Sequence, residues 1–421
     1  MSPKRKAPPV PLFDQIVFAP DRERVPGARH VVSWDEGDDA DYLAAIEAVA
    51  TRKVELRRRG QEHGAWAELD LSASGVDPRR EPLSPEDARE RWETDRPILL
   101  PGILTDLAEA CADEGVALGE RLREPAGLGA WLAESKAKLP EGLELADQDM
   151  QDTDERTLAK RALTRGDGPD LWLKSARLSS FDGDASLRLR ASFGEEVDDD
   201  ASADEAAHRA VARVAEALLP GALRVGLEPT LGARLRELLG ADPLFTQQIA
   251  YWNAPQGGAL MHHDAFDAPD NGGQVGVCYA QLAGATAWLA LSLGDLADRV
   301  TDYCEALEEG EADWVRKALW PDRHDFERSL ARIKNRAAFE LELSEPGQGR
   351  FGALVGRAEF TSFLTDCGHG VLVGPGDVLL LPSHGLTRCA LHSVFCAGDE
   401  PTYSISSALR APDAASGASR Q

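Results

Sequence analysis

No stretch of about eighteen apolar residues occurs in the chain, so no membrane-spanning helix is expected. The opening segment, MSPKRKAPPVPLFDQ, has basic residues but no apolar run behind them, which is not the pattern of a secretory signal. CxxC pairs are also missing. The six cysteines (Cys111, Cys278, Cys304, Cys367, Cys389 and Cys396) are scattered and read as reduced thiols of a cytoplasmic protein. No internal repeat is evident. Positive charge is in short supply: 46 Lys and Arg stand against 72 Asp and Glu, a formal net charge of −26. Such a chain repels nucleic-acid phosphates at long range, so direct DNA or RNA binding is not expected.

What remains is an ordinary soluble composition, 43% hydrophobic and 28% charged. At 421 residues the chain exceeds what one core needs, which implies one large domain with extensions, or two domains. Residues 1–20 are proline-rich and read as an arm. Residues 38–60 read as a helix with an acidic start, a basic end and a glycine stop. SPEDARERW (84–92) opens another helix with a Ser cap and Pro in the first turn, and RPILLPGIL (96–104) reads as a buried strand. Residues 105–140 and 205–240 have helical spacing. Between them, 170–194 alternates apolar and polar residues around an FDGD turn, a hairpin signal. The acidic stretch 195–205 lacks EF-hand spacing and reads as a solvated helix cap.

From residue 244 the texture changes to short strands punctuated by Gly and Pro, which is antiparallel β of sandwich or barrel type. A helical insert at roughly 294–340 interrupts it.

PQGGALMHHDAFD (255–267) carries the candidate chemistry. In a strand, alternate residues share a face, about 6.5–7 Å apart. His262 and Asp264 therefore point together and His263 points away. One imidazole and one carboxylate on one face make two-thirds of a facial triad for Fe(II), which leaves positions open for oxygen and substrate. The third ligand has two candidates after GDVLLLP (376–382). His384 sits in a PSHG turn, and His392 in the strand-like CALHSVF; the second is preferred because a strand presents a side chain rigidly. His384, His369 and His63, each beside a glycine, read most simply as turn residues. His324 and Glu327 read as a solvated pair in the insert.

These segments resemble the JmjC or cupin-like Fe(II)/2-oxoglutarate oxygenases, most closely the bacterial ribosomal-oxygenase branch. That family carries Pro, a glycine run and His-x-Asp-x-x-Asp, matched here by His262, Asp264 and Asp267. Q-x-x-G-x-x-x-W is matched by Gln281, Gly284 and Trp288, the GD-x-L-x-x-P strand by GDVLLLP, and the last strand by TYSISSALRAPD (402–413). The spacing from the distal family histidine to that Tyr fits His392 to Tyr403 and not His384.

The resemblance covers roughly 95–412, with its specific motifs in 249–292 and 374–412. It implies an α+β chain with a double-stranded β-helix (cupin or jelly-roll) core carrying N-terminal and inserted helices. Residues 1–94 would be an N-terminal arm and helical extension, 95–412 the catalytic domain, and 413–421 a disordered tail. It further implies Fe(II) held by His262, Asp264 and His392, with 2-oxoglutarate as cosubstrate and O2-dependent hydroxylation of a protein or peptide side chain or a small molecule. Tyr251, Asn253, Tyr279, Trp288, Tyr403 and Ser404 would flank the metal. A homodimer is a family-level expectation.

One departure matters. The family places Lys or Arg where this chain has Thr286, and a hydroxyl cannot supply the bidentate pairing of Arg with a carboxylate. Either another cation substitutes or the cosubstrate differs; Arg410 on the last strand is the first candidate anchor, against a plain surface charge at a strand end, and Arg388 and Lys174 are weaker candidates. Thr286 also motivates an alternative, a facial-triad iron oxidase or oxygenase that does not use 2-oxoglutarate; a second alternative is a non-catalytic cupin-like binding protein whose N-terminal helices bind a partner and whose metal site is vestigial.

Overall fold

The computed structural model describes residues 29–32, 66–68, 85–149, 157–165, 171–177, 186–193, 205–255, 257–265, 273–344, 349–367, 369–397 and 400–410. The expected helix at 38–60, His63, the FDGD turn, most of the acidic stretch 195–205 and Asp267 lie outside them.

The fold is mixed helix and antiparallel sheet, as expected. Two short strands, β1 (Arg29–Val32) and β2 (Trp66–Glu68), pair with each other. The remaining strands are β3 (Ile98–Leu100), β4 (Leu143–Asp149), β5 (Thr157–Arg165), β6 (Leu171–Arg177), β7 (Leu187–Phe193), β8 (Leu244–Trp252), β9 (Gly258–His262), β10 (Gln274–Ala283), β11 (Thr286–Ser292), β12 (Gly370–Val373), β13 (Val378–Gly385), β14 (Arg388–Cys396) and β15 (Tyr403–Arg410). One run of neighbours is β13-β10-β15-β8, extended outward by β7-β6-β5-β4; β3 flanks β13. A second run is β12-β11-β14-β9. A tight hairpin between β13 and β14 joins the two runs at one corner.

The alternation along these strands decides where each face goes. Val277 and Tyr279 of β10 and Leu379 and Leu381 of β13 share one cluster with Trp288 and Ala290 of β11 and Ala390 and Val394 of β14. Inward faces of both runs thus meet. The residues in between point outward. Cys278, Ala280, Val378, Leu380, Tyr403 and Ile405 pack under the helices Thr105–Leu122 and Glu205–Leu218. Leu289, Leu291, Cys389 and Leu391 pack under the insert. With both faces covered, β10 and β11 are buried almost end to end, which is why their sequences lack a polar alternate face.

The insert is longer than expected. It begins at Leu293, capped by the Ser292 hydroxyl accepting from the Asp295 N–H at 3.0 Å, and its helices continue to Asp366. The Gly- and Pro-containing stretch after residue 344 reads as the end of a helical region, yet helices Gly349–Val355 and Ala358–Asp366 follow it. Arg96 grips the insert with a bidentate pair to Asp295 (2.9 and 3.0 Å).

The GD of GDVLLLP proves to be a structural pin. Fully buried Asp377 accepts from the backbone N–H of Gly102 and of Gly374, both at 2.8 Å, and so ties the strand entry to the N-terminal region.

Candidate metal centre

β9 and β14 are antiparallel neighbours, and their register sets His262 directly opposite His392. The two rings lie 4.3 Å apart between centroids. Asp264 follows β9 by two residues, and its Oδ2 is 3.5 Å from His392 Nε2. One ligand atom from each of the three residues falls within 4.8 Å of the others, close enough for a single divalent cation. The donor set, two imidazoles and one carboxylate, suits iron. His392 is buried against Trp288 (centroids 5.5 Å apart), and its Nδ1–H donates to the Ala390 carbonyl at 3.4 Å. That bond leaves Nε2 unprotonated toward Asp264, the arrangement a metal-ligating imidazole needs.

His263 points away, as strand alternation requires. Its Nδ1 accepts from the Ala265 N–H at 3.1 Å, and its Nε2–H donates to the Ser344 carbonyl at 2.7 Å. The second histidine thus fastens the Asp264 segment to the helical insert. Desolvation in the cleft pushes the Asp264 carboxyl up, but the charge that His392, His262 and His263 carry when protonated, together with that of Arg188, outweighs it and holds the group below its usual value.

The triad opens on a cavity of about 140 Å³. One water takes roughly 10–15 Å³ on this scale, so the space suits a small ligand or a single inserted side chain. Tyr251, Val277, Tyr279, Leu381 and Ser406 line it from one run of strands, and Ala259, His262, Trp288, His392 and Val394 from the other. Asn253, Asp264 and Arg188 complete it.

Several expected residues sit elsewhere. Thr286 is fully buried behind the wall; its hydroxyl donates to Gln281 Oε1 (3.0 Å) and accepts from Trp288 Nε1 (2.8 Å). Tyr279 also donates to Gln281 Oε1 (2.9 Å), so this corner is a neutral hydrogen-bonded cluster. Ser404 is buried opposite Tyr251 and Gln281. Tyr403, one residue earlier, faces outward: its ring stacks on Trp252 and its hydroxyl donates to the Pro220 carbonyl. Arg410 is buried at the far end of β15, opposite Leu244 and Gln274, away from the cavity lining. Lys174 lies on β6, two strands from β8.

The glycine-flanked histidines divide. His384 is held at the end of β13 by Asp95 (2.8 Å), which also pairs with Arg388 (3.3 Å). His369, read as a turn residue, is instead 2% exposed, because β12 starts beside it and carries it under the insert. His324 is exposed and paired with Glu327 at 3.3 Å, as expected.

Sequence reasoning missed Arg188. The available signal was in SLRLRASF. Leu187, Leu189 and Ala191 pack in the outer core, so Arg188 and Arg190 must face the other way.

Three solved structures are similar to this chain. One is an oxidoreductase of the 2OG-Fe(II) oxygenase family from Burkholderia pseudomallei, at 10% identity over 78% of this chain and 92% of that one, with a TM-score of 0.27. Another is the non-heme alpha ketoglutarate dependent epimerase SnoN from nogalamycin biosynthesis, at 14% identity over 77% and 82%, TM-score 0.29. The third is AviO1 from Streptomyces viridochromogenes Tue57, at 12% identity over 79% and 97%, TM-score 0.28. No family model and no curated protein matches the chain. Likenesses this distant leave the functional reading to the geometry of the site.

Proposed function

We propose that this protein is an Fe(II)- and 2-oxoglutarate-dependent oxygenase that hydroxylates a small molecule or a single side chain of a protein or peptide. The observation that carries the reading is the convergence of His262, Asp264 and His392 at the mouth of a ligand-sized cavity. The strand orders β8-β15-β10-β13 and β9-β14-β11-β12 support a double-stranded β-helix core. Bound iron with its cosubstrate supplies the oxidising power for hydroxylation. The chain's own part is to hold the three ligands on one side, with Trp288 and Val394 excluding water around His392. The acidic surface suits a basic or neutral substrate better than a nucleic acid.

The test is anaerobic loading of the purified protein with Fe(II) or Mn(II), followed by O2 uptake and succinate release with 2-oxoglutarate. Wild type is expected to bind one metal and show 2-oxoglutarate-dependent uptake; His392→Ala loses both. A wild type that takes up no metal overturns the reading. Metal binding without 2-oxoglutarate turnover favours a second reading, in which the substrate itself chelates iron. The neutral cluster around Thr286 is the observation on its side.

A further inference from the structure

We infer that Arg188, on β7 beside the two four-stranded runs that line the cavity, is the counter-ion for the distal carboxylate of a 2-oxo dicarboxylic acid. The inference rests on the 2-oxo-acid reading above and names the residue that makes it workable.

The corner at Thr286 is neutral, and its hydroxyl is committed to Gln281 and Trp288. Arg410 and Lys174 are outside the cavity wall, and Arg388 is bound to Asp95 at the protein edge. Among the described residues, Arg188 is the one cationic side chain that lines the cavity. The register explains how it gets there. β7 pairs with β8 and sets Arg188 directly opposite Tyr251, which in turn lies opposite Ser404 of β15. Directly opposed residues share a face with Cβ atoms about 4.5–5.5 Å apart, so a guanidinium and a phenol flank one spot. Burial, with Asp264 nearby, pushes the Tyr251 hydroxyl up to about 12, so it stays a hydrogen-bond donor at working pH.

The same wall has an unmet polar group. Asn253 is 2% exposed, lines the cavity, and its side-chain oxygen has no hydrogen-bond partner. A buried acceptor without a partner is costly, and it calls for a donor such as a water or a substrate hydroxyl, because an ionised oxo acid offers none. The metal ligands lie across the same cavity. A small molecule with a chelating end and a carboxylate end therefore finds a partner for each, the second through the bidentate geometry that Arg favours.

The experiment is calorimetric titration of the Mn(II)-loaded protein with 2-oxoglutarate and with 2-oxobutyrate, which keeps the chelating end and lacks the distal carboxylate. Wild type is expected to prefer 2-oxoglutarate by about tenfold or more, the scale of a charge-assisted hydrogen bond. In Arg188→Met, titrated at saturating Mn(II), the ratio of the two affinities falls to within about twofold, whatever shift the lost charge causes in both. Arg188→Lys, a milder change should the first variant misfold, keeps a reduced preference. A preference that persists undiminished in Arg188→Met, or none in wild type, overturns the inference and leaves the metal site standing. Binding of neither acid to the metal-loaded wild type overturns the 2-oxo-acid reading itself, and the inference with it.

Discussion

His369 shows what a single side chain can contribute to acid sensitivity. It is 2% exposed, and neither ring nitrogen has a hydrogen-bond partner. Burial lowers its pKa to about 3; Asp295 favours the protonated form, but Arg299, Arg91 and Arg96 oppose it. The unfolded chain takes up the proton near 6.5, so between 6.5 and 3 the unfolded state binds more protons and stability rises with pH. Acidification therefore destabilises the fold by about 1.4 kcal/mol per pH unit once below 6.5, through this one group. Denaturant unfolding at pH 7.5 and pH 5 is expected to show a loss about 2 kcal/mol larger in wild type than in His369→Leu. Equal losses would show that the ring is already charged or hydrated. The glycine next to His369 suggested a turn, because nothing local to the residue records the insert that closes over it.

At the scale of elements, the helix Thr105–Leu122 lies against the strands through two glycines one turn apart. A Cβ on Gly115 would stand 2.0 Å from the Tyr403 ring, and one on Gly119 2.3 Å from the Trp252 ring. Trp252 Nε1–H donates to the Gly115 carbonyl at 2.7 Å, so ring and helix backbone are in direct contact. Gly→Ala inside a helix ordinarily gains about 1 kcal/mol. Here overpacking against two buried, stacked rings costs about 1–3 kcal/mol, and a clash this deep lies at the upper end. Gly115→Ala is expected to lower the denaturant midpoint, where propensity alone would raise it. A raised midpoint would mean the Tyr403 ring can move aside.

The helices at 105–122 and 205–218 were legible because one face of each is apolar at helical spacing. The strands were legible as apolar runs between Gly and Pro. Their facing was not, because β10 and β11 are covered on both sides and present no polar alternate.

For the whole molecule, the net charge of −26 sets the long-range electrostatics. Exposed pairs such as Arg234–Glu237 are worth about 0–1 kcal/mol each. Self-repulsion of the excess acidic groups acts over the whole surface and is screened by salt, with a Debye length of about 10 Å at 0.1 M. Raising NaCl from about 0.01 to about 0.5 M is expected to raise the thermal midpoint. A fall would show that the surface ion pairs outweigh the repulsion.

The chemistry of the triad is written over short stretches of chain. His-x-Asp on a strand end places an imidazole and a carboxylate together by alternation alone, and sends His263 the other way. The third candidate ligand, His392, is favoured over His384 by its strand-like context and its spacing to Tyr403, and the fold brings it beside His262 and Asp264. The cavity's charge is a different matter. Arg188 lies 74 residues before His262 and 204 before His392, on a strand whose pairing with β8 nothing near it in the sequence announces. Which cation faces a ligand depends on strand order and register, and these are set by the packing of distant apolar faces. The candidate metal ligands could thus be read along the chain, but the cation that faces their cavity only across the sheet.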